Sequence, residues 1–214
     1  MTLSGYLERR WDTVLELTWD HLVVVLVAVV IATVVGVLLG ALTHRRPAVS
    51  KALVSTTGAA FTIPALAYFA LVTLYVGRGF VPSVIVLVIY ALLPVVRNTV
   101  TGLAEVDQAM VKAAAGMGMG RMQVMTGIEL PLAWPVILSG IRIAAVMAAG
   151  IAAIAAYVGG PGLGAEIFGG LAAINTDRGQ VQALVGTVGV ILVALLLDAA
   201  LSLLGRLTTP RGLR

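Results

Sequence analysis

Two opposite charges stand inside apolar runs: Arg142 interrupts the run from Leu130 to about Tyr157, and Asp198 interrupts the run from Gly179 to Leu204 near its end. A cation at that depth is costly unless it faces protein or water and finds a counter-charge. Asp198 is the counter-charge expected for Arg142, as a structural pair in preference to a solute contact. Hydroxyls form the second group. Ser55, Thr62 and Thr73 are spaced 7 and 11 residues apart, which at about 100° per residue gathers them into one sector of a continuous helix. Ser83, Tyr90, Arg97 and Thr101 make a similar stripe further on. Such stripes either line a path for a polar solute or bond across packed helices, and both readings stay open.

Covalent and metal chemistry finds little support. The chain has no cysteine, which excludes disulfides, thiolate catalysis and a Cys-ligated metal. His21 and His44 lie near no Gly-x-Ser-Gly motif, and no repeated acidic motif could hold a metal, so an intramembrane lipid-modifying enzyme or protease ranks well below a transporter. The runs Gly159 to Gly164 and Gly116 to Gly120 lack the preceding strand of a nucleotide-binding loop; the first reads as a re-entrant or gating loop. A secondary transporter would need ion coupling through acidic groups at membrane depth, for which Asp198 is the sole candidate.

The elements that must position these residues are membrane spans. Of 214 residues, 60% are hydrophobic and 11% charged, a composition for which the bilayer is the solvent. The net charge of +4 comes from scattered basic residues, which read as topology signals and not as a nucleic-acid surface. Leu22 to Leu42 is free of charge and as a helix covers about 31 Å, one hydrocarbon core. Ala52 to Gly77, Gly79 to about Arg97, Leu130 to about Tyr157 and Gly179 to Leu204 follow, so an all-α membrane protein of about five transmembrane helices is predicted. Residues 1–21 carry six charges among Glu8, Arg9, Arg10, Asp12, Glu16 and Asp20 and read as an interfacial amphipathic segment. Residues 22–204 form the transmembrane domain and 205–214 a cytoplasmic tail. Pro64 and Pro94 fall inside spans and free the carbonyls of Ala60 and Tyr90, predicting kinks or hinges.

Orientation follows from the basic residues. The loops at 43–51, 97–129 and 205–214 hold Arg45, Arg46, Lys51, Arg97, Lys112, Arg121, Arg206, Arg211 and Arg214; the opposite side holds Arg9, Arg10, Arg78 and Arg178. The excess marks the first set as cytoplasmic, with the N-terminus outside and the C-terminus inside. The central loop, 104–129, is then cytoplasmic. Its composition predicts a short helix over 105–115, a break at Gly116, Gly118 and Gly120, a second short helix over Arg121 to Ile128, and Pro131 opening the fourth span. Ala109, Ala113 and Ala114 give the first of these helices a small face against which another protein could dock.

This loop resembles the cytoplasmic motif of ABC importer permeases. Lys112-Ala113-Ala114 is followed after three residues by Gly118, and after nine more by Ile128-Glu129-Leu130-Pro131, the spacing of that motif at every anchor. Lys112 stands where the family usually has Glu, so the groove that receives it is expected to be acidic or neutral there. The stretches Thr62 to Ala67 (TIPALA), Tyr90 to Thr99 (YALLPVVRNT), Glu105 to Met119 and Gly140 to Ala144 (GIRIA) are similar to the osmoprotectant branch of the family.

The resemblance implies a type I (MetI-like) importer fold and transport of glycine betaine, carnitine, choline or proline, with methionine or another amino acid as the alternative. It implies as partners an ABC ATPase dimer, a second permease identical or homologous to this chain, and an extracytoplasmic solute-binding protein, in a bacterial or archaeal cell membrane. ATP and Mg would be bound by the ATPase and no cofactor by this chain. Lys112, Ala113, Ala114, Gly118, Ile128, Leu130 and Pro131 would couple to the ATPase. Ser55, Thr62, Phe69, Thr73, Ser83 and Tyr90 are the candidate pathway residues. Phe69 and Tyr90 are better placed than Tyr68 and Tyr75 to meet a quaternary ammonium.

Overall fold

The structure is a computed structural model and describes residues 2–209. Its elements are helical: α1 (Leu3–Thr43), α2 (Pro47–Phe61), α3 (Ala65–Val76), α4 (Phe80–Ala104), α5 (Gln108–Gly116), α6 (Arg121–Val124), α7 (Leu130–Ala155), α8 (Gly164–Ala172) and α9 (Asp177–Thr208). A π-helical turn at Met125–Glu129 joins α6 to α7, and a 3-10 turn at Ala156–Val158 follows α7. The chain is all-α. Four continuous helical stretches are long and apolar enough to cross a bilayer: α1, α4, Arg121–Val158 and α9; the bent pair α2 and α3 makes a fifth.

That bent pair departs from the sequence expectation. The second span is not one kinked helix but two helices at 89°, broken at Thr62-Ile63-Pro64. The cause is local: the proline ring disfavours helical geometry at the preceding residue, and Pro64 itself is extended, with φ −57° and ψ 137°. A broken helix in a membrane must find partners within the protein for its freed carbonyls; the Thr62 and Ile63 amides turn back on Ala59 and Ala60, and side chains add to them. Thr62 Oγ1 donates to the carbonyl of Ala59 at 2.7 Å, Tyr68 Oη to that of Ala60 at 3.0 Å, and Tyr90 Oη to that of Ile63. Pro94, by contrast, sits inside an unbroken α4.

Three long helices pack through small residues. Ala28, Ala32, Gly36 and Gly40 recur every fourth residue on α1 and are all buried. A Cβ added at Gly36 would lie 2.7 Å from Val95 Cγ1, and one at Gly40 2.6 Å from Thr99 Cγ2. The backbones of α1 and α4 therefore touch closely, the arrangement that supplies dispersion where lipid removes the hydrophobic drive between helices. Across α4, Gly140 of α7 approaches so near that a Cβ there would be 2.6 Å from the Pro94 carbonyl. The buried face of α7 continues through Ala144, Ala145, Ala148, Ala149 and Ala152.

Side chains mark two ends of this bundle. At one, the loop end, Glu129 before α7 accepts from Arg45 after α1, and Trp134 Nε1 of α7 donates to Thr208 Oγ1 of α9 at 2.7 Å. At the far end, Tyr6 and Arg10 of α1 both bond Glu166 of α8. Residues 3–21 are the first half of α1, continuous with the first span apart from non-helical angles at Arg10. Arg211 and Arg214 of the expected tail lie outside the described residues.

Candidate functional site

The central loop folds into an ordered pair of helical turns. Asp107 caps α5, its carboxylate accepting from the Ala109 amide at 2.8 Å. At the other end the Met119 amide donates to the Ala114 carbonyl at 3.2 Å and the Gly118 amide to that of Ala115 at 3.0 Å, with Gly118 at φ +90°. These two bonds around a left-handed glycine are the Schellman closure of a helix. Of the expected breakers, Gly116 is the last helical residue, Gly118 makes the turn, and Gly120 precedes α6, its amide donating to Gln123 Oε1 at 2.8 Å. The second short helix is not separate: α6 runs through the π-turn into α7, with the Leu130 amide donating to the Met125 carbonyl. The wider turn opens the backbone ladder just ahead of Pro131, which has no amide hydrogen to contribute.

Of the motif residues, Lys112, Ala113, Gly118 and Pro131 are exposed, and Ile128 and Leu130 are half-buried. Ala114 is buried at 2% exposure and faces the body of the protein, so the exposed small face of α5 is Ala109 and Ala113 and excludes Ala114. The same loop exposes Met110, Met117 and Met122, with 47%, 78% and 73% of their surface open. Sequence reasoning passed over these methionines as helix formers. Their signal was available, because unbranched apolar side chains in a polar segment outside the spans suit an adaptable protein contact.

Glu129 was also missed. It is the unspecified position of the Ile-x-Leu-Pro stretch, is 2% exposed, and pairs with Arg45 Nη2 at 2.8 Å and His44 Nε2 at 3.5 Å. The loop is thereby tied to the end of α1. Glu166, at 1% exposure, does the same for the far end, accepting from Tyr6 Oη and from Arg10 Nη2 at 2.9 Å. A lone acid in an apolar run gives no sequence clue to a counter-charge more than 80 positions away.

In the membrane region the hydroxyl stripe of the second span does not survive as drawn. The break at Pro64 turns Thr73 of α3 out of the line of Ser55 on α2, so the sector computed for one continuous helix does not exist. Ser55 and Thr62 are exposed, and Thr73 bonds the Phe69 carbonyl of its own helix at 2.8 Å. Ser83 is buried, donating to the Gly79 carbonyl at 2.8 Å. Phe69 and Tyr90 are buried together, and the Tyr90 ring meets Phe61 and Tyr68 edge-on with centroids 5.4 and 5.8 Å away. Ser83, Phe69 and Tyr90 therefore pack the chain's interior and line no open surface. The glycine run is an ordered turn in which Gly162, at φ +108°, packs on His21 of α1, whose Nε2 lies 3.0 Å from the Ala149 carbonyl.

Arg142 and Asp198 do meet. Arg142 Nε donates to Oδ1 at 2.9 Å and Nη2 to Oδ2 at 3.0 Å, a fork-to-fork pair in which each side chain keeps 38% of its surface open. No group of three or more His, Cys, Asp or Glu residues among the described residues could hold a metal.

A capped loop between the third and fourth spans, on a bundle of apolar helices with a broken second span, defines a multi-pass membrane protein with an ordered element outside the bilayer. The comparisons agree. The chain belongs to the family of binding-protein-dependent transport system inner membrane components, which matches residues 32–209. It is 35% identical to the carnitine transport permease protein OpuCB of Listeria monocytogenes, over 98% of this chain and 94% of that one. It is 36% identical to the glycine betaine/carnitine/choline transport system permease protein OpuCD of Bacillus subtilis (97% and 90%), and 36% identical to the osmoprotectant import permease protein OsmW of Salmonella typhimurium (92% and 93%). The fold is that of the permease in the inward-facing MetNI methionine ABC transporter, with TM-score 0.80 over 95% of this chain and 99% of that one at 22% identity. The chain is thus a multi-pass inner-membrane permease of an ABC importer, not an enzyme, and it works with an ATPase and a solute-binding protein.

Proposed function

We propose that this permease imports osmoprotectants such as glycine betaine, carnitine, choline or proline. The supporting observation is similarity along nearly the whole chain, at 33–36% identity, to relatives whose names carry carnitine, choline or glycine betaine. The proposal includes its setting. Two permeases, identical or homologous, form the path; an ATPase dimer holds ATP and Mg and docks on the loop end; a solute-binding protein delivers at the far end, outside a bacterial or archaeal cell membrane. The exposed Ala109, Ala113 and methionines of the loop support docking at the loop end, with Lys112 also exposed there.

The test is ATP-dependent uptake of labelled glycine betaine, carnitine, choline, proline and methionine into proteoliposomes holding this chain with its genetically neighbouring ATPase and binding protein. Uptake of a betaine or choline is expected. Uptake of methionine alone would replace the substrate, and uptake without ATP would contradict the energy source.

A further inference from the structure

The Arg142–Asp198 pair lies at depth in the bundle and is nonetheless half open. Arg142 lies twelve positions into α7, about 18 Å along the helix, and a charge at such depth is not left facing hydrocarbon. Yet both side chains are 38% open. They border a groove of about 570 Å³ whose other walls are Ser139, Ile143, Val146 and Met147. A second groove, of about 370 Å³, shares Ser139 and Arg142 and continues past Ser202 and Arg206 toward the loop end. Polar groups therefore line a track from mid-depth to the end where the ATPase docks, on a face of the bundle that lipid cannot cover favourably.

We propose that this pair is a transient binding site for a zwitterionic solute, a carboxylate carrying a quaternary or secondary ammonium a few bonds away. The inference rests on the osmoprotectant reading above. The solute's carboxylate takes the place of Asp198 at the guanidinium, reproducing the same two parallel hydrogen bonds. Asp198, released, faces the ammonium, and Val146 and Met147 offer an apolar wall to its methyl groups. Each charge is compensated before and after the exchange, so neither charge is stranded at depth. A site that exchanges one ion pair for another also binds weakly enough to release its cargo, as a transport path requires. Choline, which has the ammonium and no carboxylate, cannot replace Asp198 at the guanidinium and can only approach Asp198 while that carboxylate stays on Arg142.

The absence of native cysteine makes a single-cysteine test clean. In the full complex with ATPase and binding protein, Ser139→Cys is labelled with a maleimide, with and without saturating glycine betaine or choline. Glycine betaine is expected to slow labelling several-fold and choline less. Adding Arg142→Gln should abolish the betaine protection. In the parent chain the same change should cut betaine uptake about tenfold, the weight of a charge-assisted hydrogen bond, and choline uptake by under about threefold. An unreactive cysteine, or betaine protection that survives Arg142→Gln, overturns the site. So does equal loss of both solutes that Arg142→Gln/Asp198→Asn restores, the pattern of a structural pair. If the parent chain takes up neither solute while protection by betaine depends on Arg142, the transport reading fails and the site stands; normal uptake with Arg142-independent protection fails the site alone.

Discussion

At the scale of residues, Gly118 governs the turn of the central loop. Its φ of +90° is reached freely only without a Cβ, and nothing lies within 4 Å of where that atom would be, so the constraint is backbone and not crowding. Placing an L-residue there costs roughly 1–2 kcal/mol, and more for a β-branched one. The turn brings the Met119 and Gly118 amides onto the Ala114 and Ala115 carbonyls and so closes the helix end. Gly118→Val is therefore expected to open the end of α5 and abolish co-purification of the ATPase while membrane insertion stays normal. Gly118→Asn, whose side chain tolerates the left-handed region, should keep most of the association. Equal loss in both variants would show that the position acts through something other than its backbone geometry.

At the scale of elements, the broken second span shows what the sequence discloses and what it hides. Five apolar runs were visible because a bilayer demands about twenty such residues per crossing. Pro64 was visible too, but whether a proline kinks a helix or ends it depends on whether side chains elsewhere can take the freed carbonyls. Here Tyr68 and Tyr90 do, and Tyr90 comes from a different helix 27 positions on. At Pro94 the helix persists. The same limit hid Glu129 and Glu166, whose partners come from distant elements, while the short helix and glycine turn of the central loop were legible because their determinants are local. Arg142 and Asp198 were legible across a long separation for a different reason, since each was the isolated charge of its own span.

The hydroxyl of Tyr90 is thus assigned a structural task that its ring alone cannot perform. Tyr90→Phe keeps the edge-on contacts with Phe61 and Tyr68 and strands the Ile63 carbonyl. The cost is about 1–3 kcal/mol for a polar group left unpaired away from water. The expected outcome is a lower thermal unfolding midpoint of the purified complex in detergent. An unchanged midpoint would mean that water or lipid headgroups already serve that carbonyl.

At the scale of the whole molecule, the two ends of the bundle are chemically distinct. One gathers His44 and Arg45 around the buried Glu129 beside the central loop; the other ties the start of α1 to α8 through Glu166. The basic residues divide between those ends as the positive-inside rule divides cytoplasm from exterior, so the loop end belongs in the cytoplasm. The assignment is testable on the cysteine-free chain. Met117 is 78% exposed at the loop end, and Asn175, between α8 and α9, is exposed at the far end. In intact cells a membrane-impermeant maleimide is expected to label Asn175→Cys and to reach Met117→Cys only after the membrane is opened. The reverse pattern would invert the molecule, placing the docking loop where no ATP is found and leaving the solute-binding protein without an outer surface. Because α5 and α8 lie at opposite ends of the same helices, one pair of labels decides the orientation of both partner surfaces at once.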